Sequence, residues 1–173
     1  MSRFFKDAIA LTMLGVLMYL SDMLMEFLPN IHLVGVLLVA YTVVFRSKAL
    51  IALYVYVFLN GLFGGFSLWW LPYLYVWLPL WGAVMLLPRN LPTKWQMLLY
   101  PALCALHGLS FGTLYAPAQM VLFFRMDVER TLLWIAAGFP FDVIHAAGNL
   151  CLGVLIVPLT RALRRAYRAA FQN

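Results

Sequence analysis

From Leu132 to Leu159 the chain carries a single charged side chain, Asp142. About 20 apolar residues are enough for a helix to cross a bilayer. Within lipid the backbone must satisfy its own hydrogen bonds, which leaves only helices and closed barrels. A run this long, with no alternation of polar and apolar residues, is a helix. The rest of the sequence has the same character: 65% of the 173 residues are hydrophobic and 10% are charged, where a soluble domain is about a quarter charged. The expected fold class is therefore an all-α integral membrane protein, with no length left over for a separate soluble domain.

Six transmembrane helices can be drawn, over residues 8–28, 31–45, 49–66, 71–87, 95–115 and 132–159, in one membrane domain spanning residues 1–173. The segment 116–124 either continues the fifth span or forms a short helix of its own. The first run is too long for the apolar region of a signal peptide and no Ala-x-Ala site follows it, so it reads as a retained span. Basic residues set the orientation. With the N-terminus inside, Arg3, Lys6, Arg46, Lys48, Arg89, Lys94, Arg161, Arg164, Arg165 and Arg168 fall on inner segments, and only Arg125 and Arg130 fall outside. That asymmetry makes the bundle N-in/C-in. It also explains the net charge of +6 as an orientation signal, without nucleic acid as a partner. In the basic tail 160–173, Leu163, Tyr167 and Phe171 recur one turn apart among Arg161, Arg164, Arg165 and Arg168. The tail reads either as a helix end on the anionic inner leaflet or as a docking surface for a partner.

Polar groups inside apolar runs are the functional signal, because an ionisable group at mid-membrane costs about 2.5–3.5 kcal/mol even on lenient scales. Asp142, His145 and Asn149 share one helical face. They either line a site or lock helices together by hydrogen bonds. Asp22 and Glu26 lie one turn apart with Tyr19 a turn earlier, as a ligand-accepting pair, a proton relay or an acid/base pair; alternatively Glu26 reaches interfacial water. His32 follows in the outer turn, and Asn60 sits one turn before the Gly61–Gly65 cluster, where irregular backbone points to protein or a cavity. Tyr73, Trp77 and Trp81 form either an interfacial belt or a stacking wall. His107 adjoins Gly108 and Gly112, whose spacing permits close helix approach, and Tyr115 ends that span. Cys104 and Cys151 read as small buried side chains. No HExxH, HxxEH or CxxC spacing occurs, so no metal and no cofactor is assigned. No nucleotide-binding loop and no Gly-x-Ser-x-Gly is present either, and no catalytic residue is assigned.

Four segments carry a family resemblance: Ser21–His32, Phe58–Gly65, His107–Gln119 and Pro140–Asn149. With them the whole chain resembles the substrate-binding (S) components of energy-coupling factor vitamin transporters. The resemblance implies a six-helix protein of the bacterial plasma membrane that binds a scarce water-soluble micronutrient from outside. It implies two kinds of protein partner, a transmembrane coupling subunit and a pair of cytoplasmic ATPase subunits that supply the energy, so the chain itself is not an enzyme. It also implies that ligand is held by outer loops and the outer halves of later spans, with His107 and Asn149 matching contributing positions. Such proteins commonly dock through Ala-x-x-x-Ala on the first span; this chain has Ala8-x-x-x-Thr12 and Ala10-x-x-x-Leu14.

The candidate substrate-binding residues are Asp22, Glu26, His32, Asn60, Trp77, His107, Tyr115, Asp142, His145 and Asn149. With no basic residue in any span, they suit a ligand rich in hydrogen-bond donors or positively charged: a heteroaromatic, nucleobase-like or cobamide-precursor compound. Two other classes compete, a self-contained proton- or ion-coupled carrier and a small intramembrane enzyme using Asp22/Glu26 or Asp142/His145.

Overall fold

The computed structural model describes the backbone of residues 3–171 and the side chains of residues 5–170. The charge of Arg3, Phe171 of the tail stripe and residues 172–173 lie outside the described side chains. Among the described residues the chain is helical, with no strand. Its α-helices are α1 (Arg3–Leu24), α2 (Val34–Phe45), α3 (Ala49–Gly64), α4 (Leu78–Leu86), α5 (Thr93–Leu109), α6 (Phe111–Ala116), α7 (Val128–Leu152) and α8 (Ile156–Phe171). Three stretches are long and apolar enough to cross a membrane: Phe5–Leu24, Val34–Gly64 and Val128–Ala170. Thr93–Leu109 and Phe111–Phe123 make a fourth if they form one span broken by their 50° bend.

Side-chain contacts give each helix a direction. The α1 helix runs from Asp7, which Lys48 and Tyr167 contact, to Asp22, which accepts from the Tyr56 hydroxyl at 2.9 Å. The α2 helix starts near the Asp22 end, where the His32 ring lies 5.8 Å from Trp77. It ends at Arg46, whose guanidinium donates to the carbonyls of Val84, at 3.4 Å, and Met85. Arg46 has φ 56° and ψ −125°, so the chain turns there. The α3 helix then returns beside Trp77, with Tyr56 6.2 Å from it. The stretch Val34–Gly64 is thus two helices side by side.

The α2 helix is apolar all round, the pattern of a helix enclosed on every side, and Val34–Thr42 are all buried. The outer helices supply its sheath. Gly15 lets α1 lie against α3, since a Cβ there would meet the Ala52 carbonyl oxygen and Val55 at 2.6 Å. The outward faces stay apolar, with Leu24 74% and Leu86 87% exposed. So much exposed apolar area is far more than a soluble monomer presents, and is compatible with a lipid surround.

The elements differ from the expected spans wherever proline or a rival hydrogen bond intervenes. The first helix ends at Leu24 rather than residue 28. Its last turn tightens into i→i−3 bonds from Met25, Glu26 and Leu28, ahead of Pro29, which disfavours helix in the residue before it. Residues 71–87 are not one helix: Leu71–Leu74 is a 3₁₀ turn and α4 begins only at Leu78, with prolines near both starts. The fifth span breaks at Ser110, whose hydroxyl donates to the Leu106 carbonyl at 2.8 Å, a competition with the helix ladder. The segment beyond it is α6 and then a π-helical turn over Pro117–Phe123. The last run starts earlier, at Val128, where Asp127 caps the helix by accepting from the Arg130 amide. It is interrupted by a 3₁₀ turn at Gly153–Leu155, where Gly153 meets Pro101, and α8 takes up the tail. Cys104 is buried as expected, whereas Cys151 is exposed.

Candidate functional site

The ten candidate residues fall into two neighbouring groups at the Asp22 end. The first is a packed knot of aromatic and polar side chains. The imidazoles of His32 and His145 are 4.7 Å apart, and those of His107 and His145 6.5 Å. Trp77 stacks on His107 at 5.2 Å and stands edge-on to His32. Phe111 closes the group, 5.0 Å from His145 and 5.6 Å from Trp77. Asn149 lies one turn below His145, between α5 and Gly35 of α2. Five chain segments therefore contribute: the turn before α2, the turn before α4, α5, α6 and α7.

Sequence spacing explains how they meet. Gly108 presents bare backbone to α7; a Cβ there would lie 2.9 Å from the Ala146 amide nitrogen and 3.0 Å from the His145 carbonyl carbon. That close approach carries His107 and Asn149 into the same layer. His107 Nε2 lies 2.8 Å from the Val76 carbonyl oxygen. A carbonyl only accepts, so in the neutral ring Nε2–H donates and Nδ1 is left as an acceptor. The Asn149 amide donates to the Cys104 carbonyl at 3.0 Å, which leaves Oδ1 as a second acceptor.

What sets this knot apart is its unpaired polar atoms. His32 Nδ1, Trp77 Nε1, His107 Nδ1, His145 Nε2 and Asn149 Oδ1 are all buried with no hydrogen-bond partner. Native structures leave few buried polar atoms unpaired, and each costs about 1–3 kcal/mol. Five lie in one contiguous group, and their partner must be an ordered water or a bound solute. Not every polar group in the layer is free, however. Asp142 is committed: its carboxylate accepts from the Gly112 amide at 3.1 and 3.2 Å, which ties α6 to α7.

The second group lines a cavity of about 520 Å³ between α1, α3 and the Gly65–Trp70 turn. Asp22, Glu26 and Asn60 line it with Tyr19, Phe63 and Trp69, and Tyr19 stacks on Phe63 at 5.5 Å. Asn60 donates to the Tyr56 carbonyl at 3.1 Å. Tyr56 joins the two groups, its hydroxyl on Asp22 and its ring edge-on to Trp77. Tyr115 stands at the rim of the knot, stacked on Phe111 and on Trp134, with its hydroxyl on the Trp69 carbonyl. Of the two readings of Tyr73, Trp77 and Trp81, belt or stacking wall, a wall is at most half formed here. Tyr73 and Trp77 meet at 6.4 Å, but the Trp81 indole points to the Arg46 carbonyl at the opposite end.

Tyr56 and Phe111 escaped the sequence reading. Each lies one helical turn from a residue that was singled out, Tyr56 before Asn60 and Phe111 after His107, so the same-face rule was the available signal. A direct consequence concerns Tyr56→Phe. It should lower stability by about 1 kcal/mol, the worth of one hydrogen bond, read as a lower unfolding temperature of the purified chain in detergent. Unchanged stability would mean that Asp22 finds another donor.

Chemically, the knot offers two fixed acceptors, one fixed donor at Trp77 Nε1, and two imidazole nitrogens that serve either way, between aromatic faces. Among the described residues, no group of three or more His, Cys, Asp or Glu side chains is placed to hold a metal ion. Comparison with models of known families, with curated proteins and with solved structures gives no match.

Proposed function

We propose that this chain is the substrate-capturing subunit of a membrane uptake system, similar in kind to the S components of energy-coupling factor transporters. In this reading it crosses the bacterial plasma membrane six times with both termini inside. The traverses are α1, α2, α3, residues 71–86 around α4, α5 with α6, and α7 with the start of α8. The Asp22 end faces outward. The Asp7 end, with Arg46, Lys48, Arg89, Arg164 and Arg168, faces the cytoplasm, as the distribution of basic residues requires. Several traverses are short. The 12 residues of α2 span about 18 Å against a hydrocarbon core of about 30 Å; its neighbours enclose it, so its ends need not meet lipid.

The observation that carries the proposal is the convergence of five unpaired buried polar atoms between aromatic rings at the Asp22 end. A ligand that pairs with them recovers the cost of leaving them unmatched. The donor and acceptor set describes a neutral or cationic planar heteroaromatic, because no cation is at hand to meet a carboxylate. The cavity beside Asp22 and Glu26 serves as the approach to it. A coupling subunit and two ATPase subunits then provide the energy.

Native mass spectrometry of the purified chain tests this by looking for a co-purified solute. His107→Ala and Asn149→Ala are each expected to reduce its retention by about tenfold, equivalent to about 1.4 kcal/mol, in protein that still unfolds cooperatively. Normal retention by both variants would place the ligand elsewhere. A second reading, a proton-coupled carrier, is favoured by the two carboxylates of Asp22 and Glu26 on a cavity wall beside the imidazoles of His32, His107 and His145. Uptake by vesicles containing this chain alone, driven by a proton gradient, would select it.

A further inference from the structure

At the Asp7 end, three chain segments bring their cations together. The turn between α2 and α3 supplies Arg46 and Lys48, the turn between α4 and α5 supplies Arg89, and α8 supplies Arg164 and Arg168. They line cavities of about 440 and 310 Å³ that share Val44, Phe45, Lys48 and Arg164, and so form one cleft. Asp7 is the one carboxylate on its wall among the described residues, and Lys48 and the Tyr167 hydroxyl already bind it. Among the described residues, Arg46, Arg89, Arg164 and Arg168 take part in no ion pair.

Arg46 is the fixed member. Its guanidinium closes the C-terminal end of α4 through the Val84 and Met85 carbonyls. Its Nε is buried without a partner. Its backbone sits at φ 56°, a conformation uncommon for a non-glycine residue and disfavoured for a bulky one. Arg46 is thus held in place beside further cations of like charge, and an anion bound among them would offset their repulsion. Val43, Val44 and Phe45 give the cleft an apolar wall, and the exposed Leu86 follows directly on Met85.

We infer that this cleft is a binding site for the phosphate-bearing headgroup of an anionic phospholipid in the leaflet at the Asp7 end. Guanidinium forks match phosphate oxygens, and basic pockets between helices on the cytoplasmic side suit such headgroups. The apolar wall favours a lipid over free phosphate, because the glycerol and first acyl carbons have a surface to lie on. The site depends on the membrane reading above and is independent of solute capture.

The test uses the full chain in bilayer discs with equal amounts of phosphatidylglycerol and phosphatidylcholine, released into native mass spectrometry. The unaltered chain is expected to retain phosphatidylglycerol selectively. Arg89→Gln with Arg164→Gln should cut that retention by about tenfold. Arg161→Gln with Arg165→Gln removes the same charge from α8 outside the cleft and should leave it intact. Equal retention of the two lipids by the unaltered chain, or equal loss in the two double variants, would overturn the site in favour of diffuse surface charge. Displacement of phosphatidylglycerol by excess inorganic phosphate at matched ionic strength would overturn the lipid assignment and give the cleft to a soluble phosphate. None of these readouts depends on the co-purified solute, so their failure would leave the substrate-capture reading to its own test.

Discussion

Gly108→Ala is expected to lower the stability of the chain by about 2–3 kcal/mol, the upper part of the range for overpacking a filled interior. The new methyl would stand 2.9 Å from the Ala146 amide nitrogen and 3.0 Å from the His145 carbonyl carbon. These are backbone atoms in the middle of α7 and cannot rotate away as a side chain would, so the helices must part. The third neighbour is the Asn149 amide nitrogen, also at 2.9 Å, so parting the helices also pulls Asn149 from the Cys104 carbonyl. Stability and solute retention should therefore fall together. The control is built into the same fold: Gly82 in α4 and Gly138 in α7 have nothing within 4 Å of an added Cβ. There the same substitution only improves helix propensity, by about 0.5–1 kcal/mol, and should leave the unfolding temperature unchanged or raised. A Gly108→Ala chain as stable as Gly138→Ala would mean that α5 and α7 do not meet as described.

The parts of this architecture legible in the sequence are those set by one segment at a time. The run from Leu132, the charged ends of the apolar stretches and the small residues at 108 and 112 each announce themselves, because hydropathy, charge asymmetry and the absence of a side chain are local properties. Asp22, Glu26 and Asn60, each legible as a polar group in or beside an apolar run, line one cavity, although the regular helix expected to carry Asp22 and Glu26 gives way to tighter turns after Leu24. What the sequence concealed lies between segments. His32 reads as an interfacial loop residue, yet its ring stands against His145, more than a hundred residues away in the chain. Trp81 reads as sharing a belt or a wall with Trp77, but the 3₁₀ turn and the late start of α4 shorten the regular helix, and its indole is directed to the other end. Asp142 showed the same ambiguity in another form. Its cost in an apolar run is plain, whereas the Gly112 amide is there to meet it only because α5 breaks at Ser110.

That break supplies the second large effect. Gly112 is the second residue of α6, so its amide is one of those at a helix start that have no partner within the helix. The Asp142 carboxylate from α7 accepts it with both oxygens and acts as an N-cap supplied from another helix. A carboxylate also suits the positive end of the helix dipole. In Asp142→Ala the amide is left unpaired among apolar side chains, at about 1–3 kcal/mol. The substitution also removes a buried charge, which partly offsets the loss, so the net fall should be about 2 kcal/mol, or about 4–8 °C in unfolding temperature for a chain of this length. Asp142→Asn keeps one oxygen acceptor and loses the charge assistance, and should forfeit about half as much. If Asn retains the solute while Ala loses both stability and solute, the carboxylate serves the site by holding α6, and with it Phe111 and Tyr115, in place. If Asn keeps nearly full stability but loses the solute, the charge itself meets the ligand, and the ligand is a cation.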